Sequence, residues 1–97
     1  MKKDLLSIAD LNHKEIEQLI KQAWRMKKEG ATTLLSGRTL ALLFEKPSLR
    51  TRISFEMAMY QLGGHSIYLS PEEVGLGKRE SEADIARVLS RYVDGIA

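Results

Sequence analysis

Ile16, Leu19, Ile20 and Ala23 recur at three- and four-residue intervals, a spacing that sets side chains along one face of an α-helix. Asn12 stands where an N-cap would, and Glu15 completes a capping-box pattern three residues on. Leu11, ahead of the cap, is placed for a hydrophobic staple. Lys27 and Lys28 suit the negative end of the helix dipole, and Gly30 is a natural stop. The pattern then changes. Thr39-Leu40-Ala41-Leu42-Leu43-Phe44 is a continuous apolar run. It is too short for a helix of its own and reads as a strand buried on both faces, as in a parallel sheet. Pro47 disfavours helical backbone at Lys46, so the chain turns there.

Phe55, Ala58, Met59 and Leu62 predict a second helix from about Leu49 to Leu62, ended by Gly63-Gly64. Ser66-Ile67-Tyr68-Leu69 is a second strand. Strand, helix and strand within about 30 residues form a βαβ unit, with a right-handed crossover expected. Pro71 to Lys78, with Gly75 and Gly77, reads as a loop. Ser81 caps a third helix with Asp84 at its third position, and Ile85, Val88, Leu89 and Tyr92 make its apolar stripe. Val93 to Ala97 approaches a third strand. The predicted fold class is α/β: a helix, a βαβ unit and a further helix, forming part of a parallel sheet. Two strands and a stub leave open sheet edges and an uncovered face. Residues 1–97 are therefore expected to be a truncated first part of a larger domain.

Composition narrows the class without naming a function. The 97 residues make one small domain at most. A chain of this size buries roughly 60–65% of the surface its unfolded form exposes, so its stability is expected to be marginal without a partner. Hydrophobic residues are 43% and charged residues 29%, with 2 Pro, which argues against a disordered tail or a coiled coil. The net charge of +2 is too small an excess to indicate a nucleic-acid binder. With 0 Cys there is no disulfide, thiolate zinc site or cysteine nucleophile. No apolar run approaches the ~20 residues of a membrane span, and the amino-terminal residues lack a secretory pattern. The expectation is a cytoplasmic protein.

One stretch concentrates chemistry: Phe44-Glu45-Lys46-Pro47-Ser48-Leu49-Arg50-Thr51-Arg52. It leaves the predicted buried strand and enters the first turn of the second helix. Ligands of open α/β sheets bind just beyond the carboxyl ends of strands. A helix start offers free N–H groups and about half a positive charge. Two hydroxyls and two guanidiniums stand in the same turn. Together these groups suit a phosphate-like anion. Ser48 can cap the helix or donate to the anion; the N–H groups of Leu49, Arg50 and Thr51 can point at it; Arg50 can add a forked contact that Lys cannot reproduce. The plainer alternative is a capped helix start with solvated arginines. Basic residues there oppose the dipole unless an anion, or a carboxylate such as Glu56, answers them. A third alternative is a helix that meets nucleic-acid phosphates, against which stand 6% aromatic residues and the lack of an extended basic stripe.

The run from Phe44 to Glu56, Phe-Glu-Lys-Pro-Ser-Leu-Arg-Thr-Arg-Ile-Ser-Phe-Glu, closely resembles the carbamoyl-phosphate signature of the aspartate/ornithine carbamoyltransferase family. Its Glu-Lys-Pro-Ser form is similar to the ornithine branch. Gln61 to His65, Gly77 to Ser81 and Ala86 to Ile96 carry the likeness along nearly the whole chain. The resemblance implies the first part of a carbamoyl-phosphate-binding domain, with the ornithine-binding domain outside residues 1–97. It implies transfer of the carbamoyl group to the side-chain amine of ornithine, giving citrulline and phosphate, within arginine metabolism. No metal, cofactor or covalent enzyme intermediate is implied. Ser48, Leu49 through its N–H, Arg50 and Thr51 would hold the phosphate. Arg50 and Thr51 would act in catalysis, Thr51 also facing the carbonyl oxygen. Arg52 would stand behind them, answering a carboxylate.

The sequence departs from the family pattern in two places. Leu49 stands where many relatives have Thr, which keeps a main-chain donor and drops a hydroxyl. Gly75 stands where many have a Gln that reaches carbamoyl phosphate from a neighbouring subunit; Lys78 or Arg79 on the same loop could supply charge instead. The resemblance also implies a homotrimer or a multiple of trimers. A further phosphate-binding Arg, a His-Pro-x-Gln segment and the ornithine-binding residues are expected beyond Ala97, so the 97-residue chain alone is expected to be inactive. A non-catalytic anion-binding module and the aspartate branch of the family are the alternatives.

The remaining candidates read as structural. His13 is expected to face solvent, and His65 has no neighbouring ligand set for a metal. Trp24 and Met26 are expected to pack, Arg25 to Lys28 to form a solvated face, and Glu72-Glu73 to lack an acid/base arrangement.

Overall fold

The computed structural model describes residues 4–30, 33–75 and 81–97. Its contacts divide the chain into two compact units, residues 1–31 and 32–97.

In the first unit, Ser7 starts a 3-10 turn, Ile8–Asp10, by accepting the Ala9 N–H at 3.2 Å. The helix α1, His13–Glu29, follows. The capping box forms as the residues predict. Asn12 Oδ1 accepts the Glu15 N–H at 2.8 Å, and Glu15 Oε1 accepts the Asn12 N–H at 3.0 Å. The Asn12 N–H holds the Glu15 carboxyl below its ordinary value of 4.5. Gly30, at φ +88°, closes the helix by donating to the Met26 carbonyl at 2.9 Å. His13 does face solvent, with Nε2 2.9 Å from Glu17 Oε1. Trp24 does not pack within these residues: it is 61% exposed, and its ring lies under the Lys27 ammonium at 5.5 Å. Packing against its own unit does not account for it.

The second unit is a parallel sheet with strand order β2-β1-β3. Its strands are β1, Thr39–Leu43; β2, His65–Leu69; and β3, Gly95–Ile96. β1 lies in the middle, which explains its unbroken apolar run. Ala41 and Leu42 are fully buried, and Met59 and Ile85 nearly so. The register sets Thr39 beside His65, Leu42 beside Tyr68 and Leu40 beside Gly95. The helix α2, Leu49–Gln61, connects β1 to β2. Beyond it, Gly63 takes φ +83°. The strand–helix–strand unit and the α/β class are therefore as predicted.

β1 stops at Leu43, one residue short of Phe44, β2 starts one residue early at His65, and two further boundaries differ. Pro71–Val74 is not plain loop but a single helical turn, α3. Ser70 accepts the Glu73 N–H at 3.2 Å, Pro71 pre-sets the first helical φ, and Gly75 at φ +64° ends the turn. Helix α4, Glu82–Leu89, is capped by Ser81 as expected but ends before Tyr92. Tyr92 is thus off the helix and 81% exposed, not part of a packed stripe. No helix among the described residues is long and apolar enough to cross a membrane.

Candidate anion-binding site

β1 ends at Leu43, and α2 begins six residues later at Leu49. The connecting turn brings the polar groups of Ser48 to Arg52 to the carboxyl side of the central strand. Ser48 is extended (φ −147°, ψ 94°), and its carbonyl accepts the Arg52 N–H at 2.9 Å. Its hydroxyl makes no bond to a helix N–H, so the capping role open to it is not taken. It lies instead 2.9 Å from Thr51 Oγ1. One hydroxyl proton joins the two oxygens, which leaves the other free to donate outward. Among the described residues, nothing accepts the N–H groups of Leu49, Arg50 and Thr51. Arg50 is exposed and, among the described residues, has no carboxylate partner. Three amides, a hydroxyl proton and an exposed arginine thus belong to one helix start, where the dipole adds to their positive potential.

Arg52 is set apart from this group. Its Nε donates to Glu56 Oε1 at 2.6 Å, and its Cζ lies 3.9 Å from the centre of the Tyr68 ring. Tyr68 meets Phe44 in a T-shaped contact at 6.1 Å between centroids, and Phe44 meets Phe55 at 6.5 Å. A guanidinium, a carboxylate and three rings therefore stand directly behind the turn. The sequence pointed to Glu56 as the answer to a cation; nothing in it pointed to Tyr68, whose contact with Arg52 joins β2 to α2. Alternation along β2 was the one available hint, because it sets Tyr68 on the opposite face from Ile67.

Of the other candidates, Gly75 is buried at the end of α3, and its N–H donates to the Pro71 carbonyl at 2.9 Å. Lys78 and Arg79 lie outside the described residues. His65 is exposed at the start of β2, at the end of the sheet away from Ser48.

Residues 3–97 match the family model described as aspartate/ornithine carbamoyltransferase, carbamoyl-P binding domain. The chain belongs to this family. An ornithine carbamoyltransferase of Anoxybacillus flavithermus is 51% identical over 98 residues, which cover 97% of this chain and 31% of the relative. The crystal structure of ornithine carbamoyltransferase from Thermus thermophilus superposes with a TM-score of 0.90 at 47% identity, over 99% of this chain and 34% of that one. The catalytic subunit of M. Jannaschii aspartate transcarbamoylase gives 0.86 at 38% identity, over 98% of this chain and 33% of that one. The carbamoyltransferase likeness thus spans this whole chain, and the chain spans about a third of the length of these relatives.

Proposed function

We propose that the start of α2 binds the phosphate of carbamoyl phosphate, and that the chain contributes this half-site to a carbamoyltransferase acting on ornithine. The observation that carries the reading is the set of donors at Leu49, Arg50 and Thr51 that have no acceptor among the described residues, with the Ser48–Thr51 hydroxyl pair beside them.

In the proposed reaction the amine lone pair forms a bond to the carbonyl carbon. The tetrahedral intermediate then collapses: the carbon–oxygen bond to phosphate breaks, phosphate leaves with the electron pair, and the amine loses a proton. Negative charge builds on the carbonyl oxygen and then on the departing phosphate. Fixed donors that need no reorganisation are the economical way to stabilise it. Ser48, Arg50, Thr51 and the three amides meet the phosphate oxygens, and the Thr51 hydroxyl also faces the carbonyl oxygen. Arg52, already paired with Glu56, supports the turn without touching substrate.

The ornithine branch is supported by the Glu45-Lys46-Pro47-Ser48 form and by 47% identity to the Thermus thermophilus ornithine enzyme, against 38% to the aspartate relative. The resemblance also brings a trimeric parent enzyme in the cytoplasm and a role in arginine metabolism as parts of the proposal. Ornithine itself would be held by groups outside residues 1–97, so the chain alone is proposed to be inactive.

The test is a titration of the isotopically labelled chain with inorganic phosphate and with carbamoyl phosphate, followed by amide resonances. Saturable shifts at Leu49, Arg50 and Thr51, lost in Arg50→Ala, support the reading. Shifts spread over lysines elsewhere, with these amides unmoved, overturn it.

A further inference from the structure

We propose that Tyr68 is a positioning residue for the anion site, acting through Arg52. The inference rests on the reading of the α2 start as a phosphate site and adds a device that holds it in shape. The Arg52 guanidinium is fixed on two sides. Glu56 Oε1 accepts its Nε–H at 2.6 Å in the plane, and the Tyr68 ring faces it at 3.9 Å. Tyr68 is itself fixed: its backbone pairs with Leu42 of the central strand, and its ring makes a T-shaped contact with Phe44, the residue at which the chain leaves that strand. Phe44 in turn meets Phe55, one turn along α2 from Arg52. The cluster therefore ties the exit of β1, the body of β2 and the beginning of α2 to one another. Ser48 to Thr51 lie between two of those anchors.

Two consequences follow. The first turn of α2 is held at a fixed angle to the sheet, so its free amides stay convergent before an anion arrives. Glu56, a carboxylate on the same helix as a dianion site, is neutralised by a cation held in place. A planar guanidinium can bond at its edge and stack on its face together; an ammonium cannot. The Tyr68 hydroxyl has no part in this, so a phenyl ring should serve as well.

Phosphate affinity of the labelled chain and the Arg52 Nε–H resonance test the inference. Ring current from Tyr68 should hold that resonance upfield. In Tyr68→Leu it should move downfield and phosphate binding should weaken roughly threefold or more, the scale of a lost cation–π contact. Tyr68→Phe should restore both. Arg52→Lys, which keeps the charge and loses the stacking plane, should weaken phosphate to a similar degree, and it decides the matter if Tyr68→Leu does not fold. Unchanged phosphate affinity in Tyr68→Leu, or in Arg52→Lys where the leucine variant is unfolded, overturns the inference and leaves the phosphate reading standing. A weakened affinity with the Arg52 resonance unmoved also overturns it. If the unsubstituted chain shows no phosphate shifts at Leu49 to Thr51, the phosphate reading falls and the inference with it.

Discussion

Asp94 grips Arg38 across a separation of 56 residues. Its Oδ1 lies 3.2 Å from Arg38 Nη1, while Oδ2 accepts the Thr39 N–H at 2.9 Å. The Asp94 N–H donates in turn to the Thr39 carbonyl at 2.9 Å. One aspartate thus satisfies the first amide of the central strand, starts the pairing of β3 and answers the cation that precedes β1. At the opposite end of the same strand, Ser48 and the turn before α2 form the proposed anion site. The sheet is pinned at one end and carries the candidate site at the other.

This pin should make the sheet sensitive to acid. The Thr39 N–H, and after it Arg38, hold the Asp94 carboxyl below its ordinary value of 3.8. A depressed carboxylate contributes stability that is complete above that ordinary value and is lost as pH falls through the lower, folded value. Thermal melts from pH 7 down to pH 2 should therefore show a component below pH 4 that Asp94→Asn removes. Identical acid profiles for the two chains would count against the pin.

Asn12→Ala should loosen α1 without touching the sheet. The substitution leaves the Glu15 N–H without its acceptor and breaks the reciprocal box. Loss of such a cap costs about 1 kcal/mol of helix stability. Hydrogen exchange should quicken across the first turns of α1, while protection of Ala41 and Leu42 in β1 stays as it was. Equal loss of protection in both places would show that the two units melt together.

The features legible in the sequence were those whose cause is local. The α1 and α4 caps lie within three residues of their partners, and the β1 run announces its own burial. The sequence over α3 predicts loop, because a cap, a proline and a glycine within six residues also describe a turn; the Ser70 bond to the Glu73 N–H decides it. Tyr92 kept the helical spacing, but α4 stops at Leu89, and the Ser90 hydroxyl bonds the Arg87 carbonyl at 2.7 Å there. At the candidate site, Ser48 to Arg52 were legible because adjacent residues carry the donors. The contact of Tyr68 with Arg52 and that of Asp94 with Arg38 were not, because each joins segments whose neighbourhood exists only after the sheet forms.

Gly64→Ala should destabilise the sheet unit by crowding. A Cβ at this position would come within 2.7 Å of Met59 Cε and 3.0 Å of the Arg38 and Leu35 carbonyl oxygens. The methionine can swing aside; the two carbonyls belong to the backbone that leads into β1. Overpacking of this kind costs roughly 1–3 kcal/mol. A denaturant melt gives the value, and a midpoint unchanged from that of the parent chain would mean the backbone yields freely there.

The isolated 97-residue chain should make no citrulline from carbamoyl phosphate and ornithine. It offers donors for the phosphate but, on the proposed reading, no group to hold or deprotonate the amine. Activity above a blank that disappears in Arg50→Ala would refute this.

Arg50 should behave as a fork and not only as a charge. Arg50 has no carboxylate partner among the described residues, so removing it strands no anion within them and its loss reads directly on the ligand. Arg50→Ala should weaken phosphate binding roughly tenfold or more, the scale of a hydrogen bond to a charged group. Arg50→Lys keeps the charge and loses the planar pair of donors, so it should recover part of that loss at low salt. Raising the ionic strength screens the charge that lysine supplies. The gap between Arg50→Lys and the parent chain should therefore widen in isothermal titrations from low to physiological salt. Full recovery by lysine at every salt concentration would mean that the guanidinium serves only as a charge.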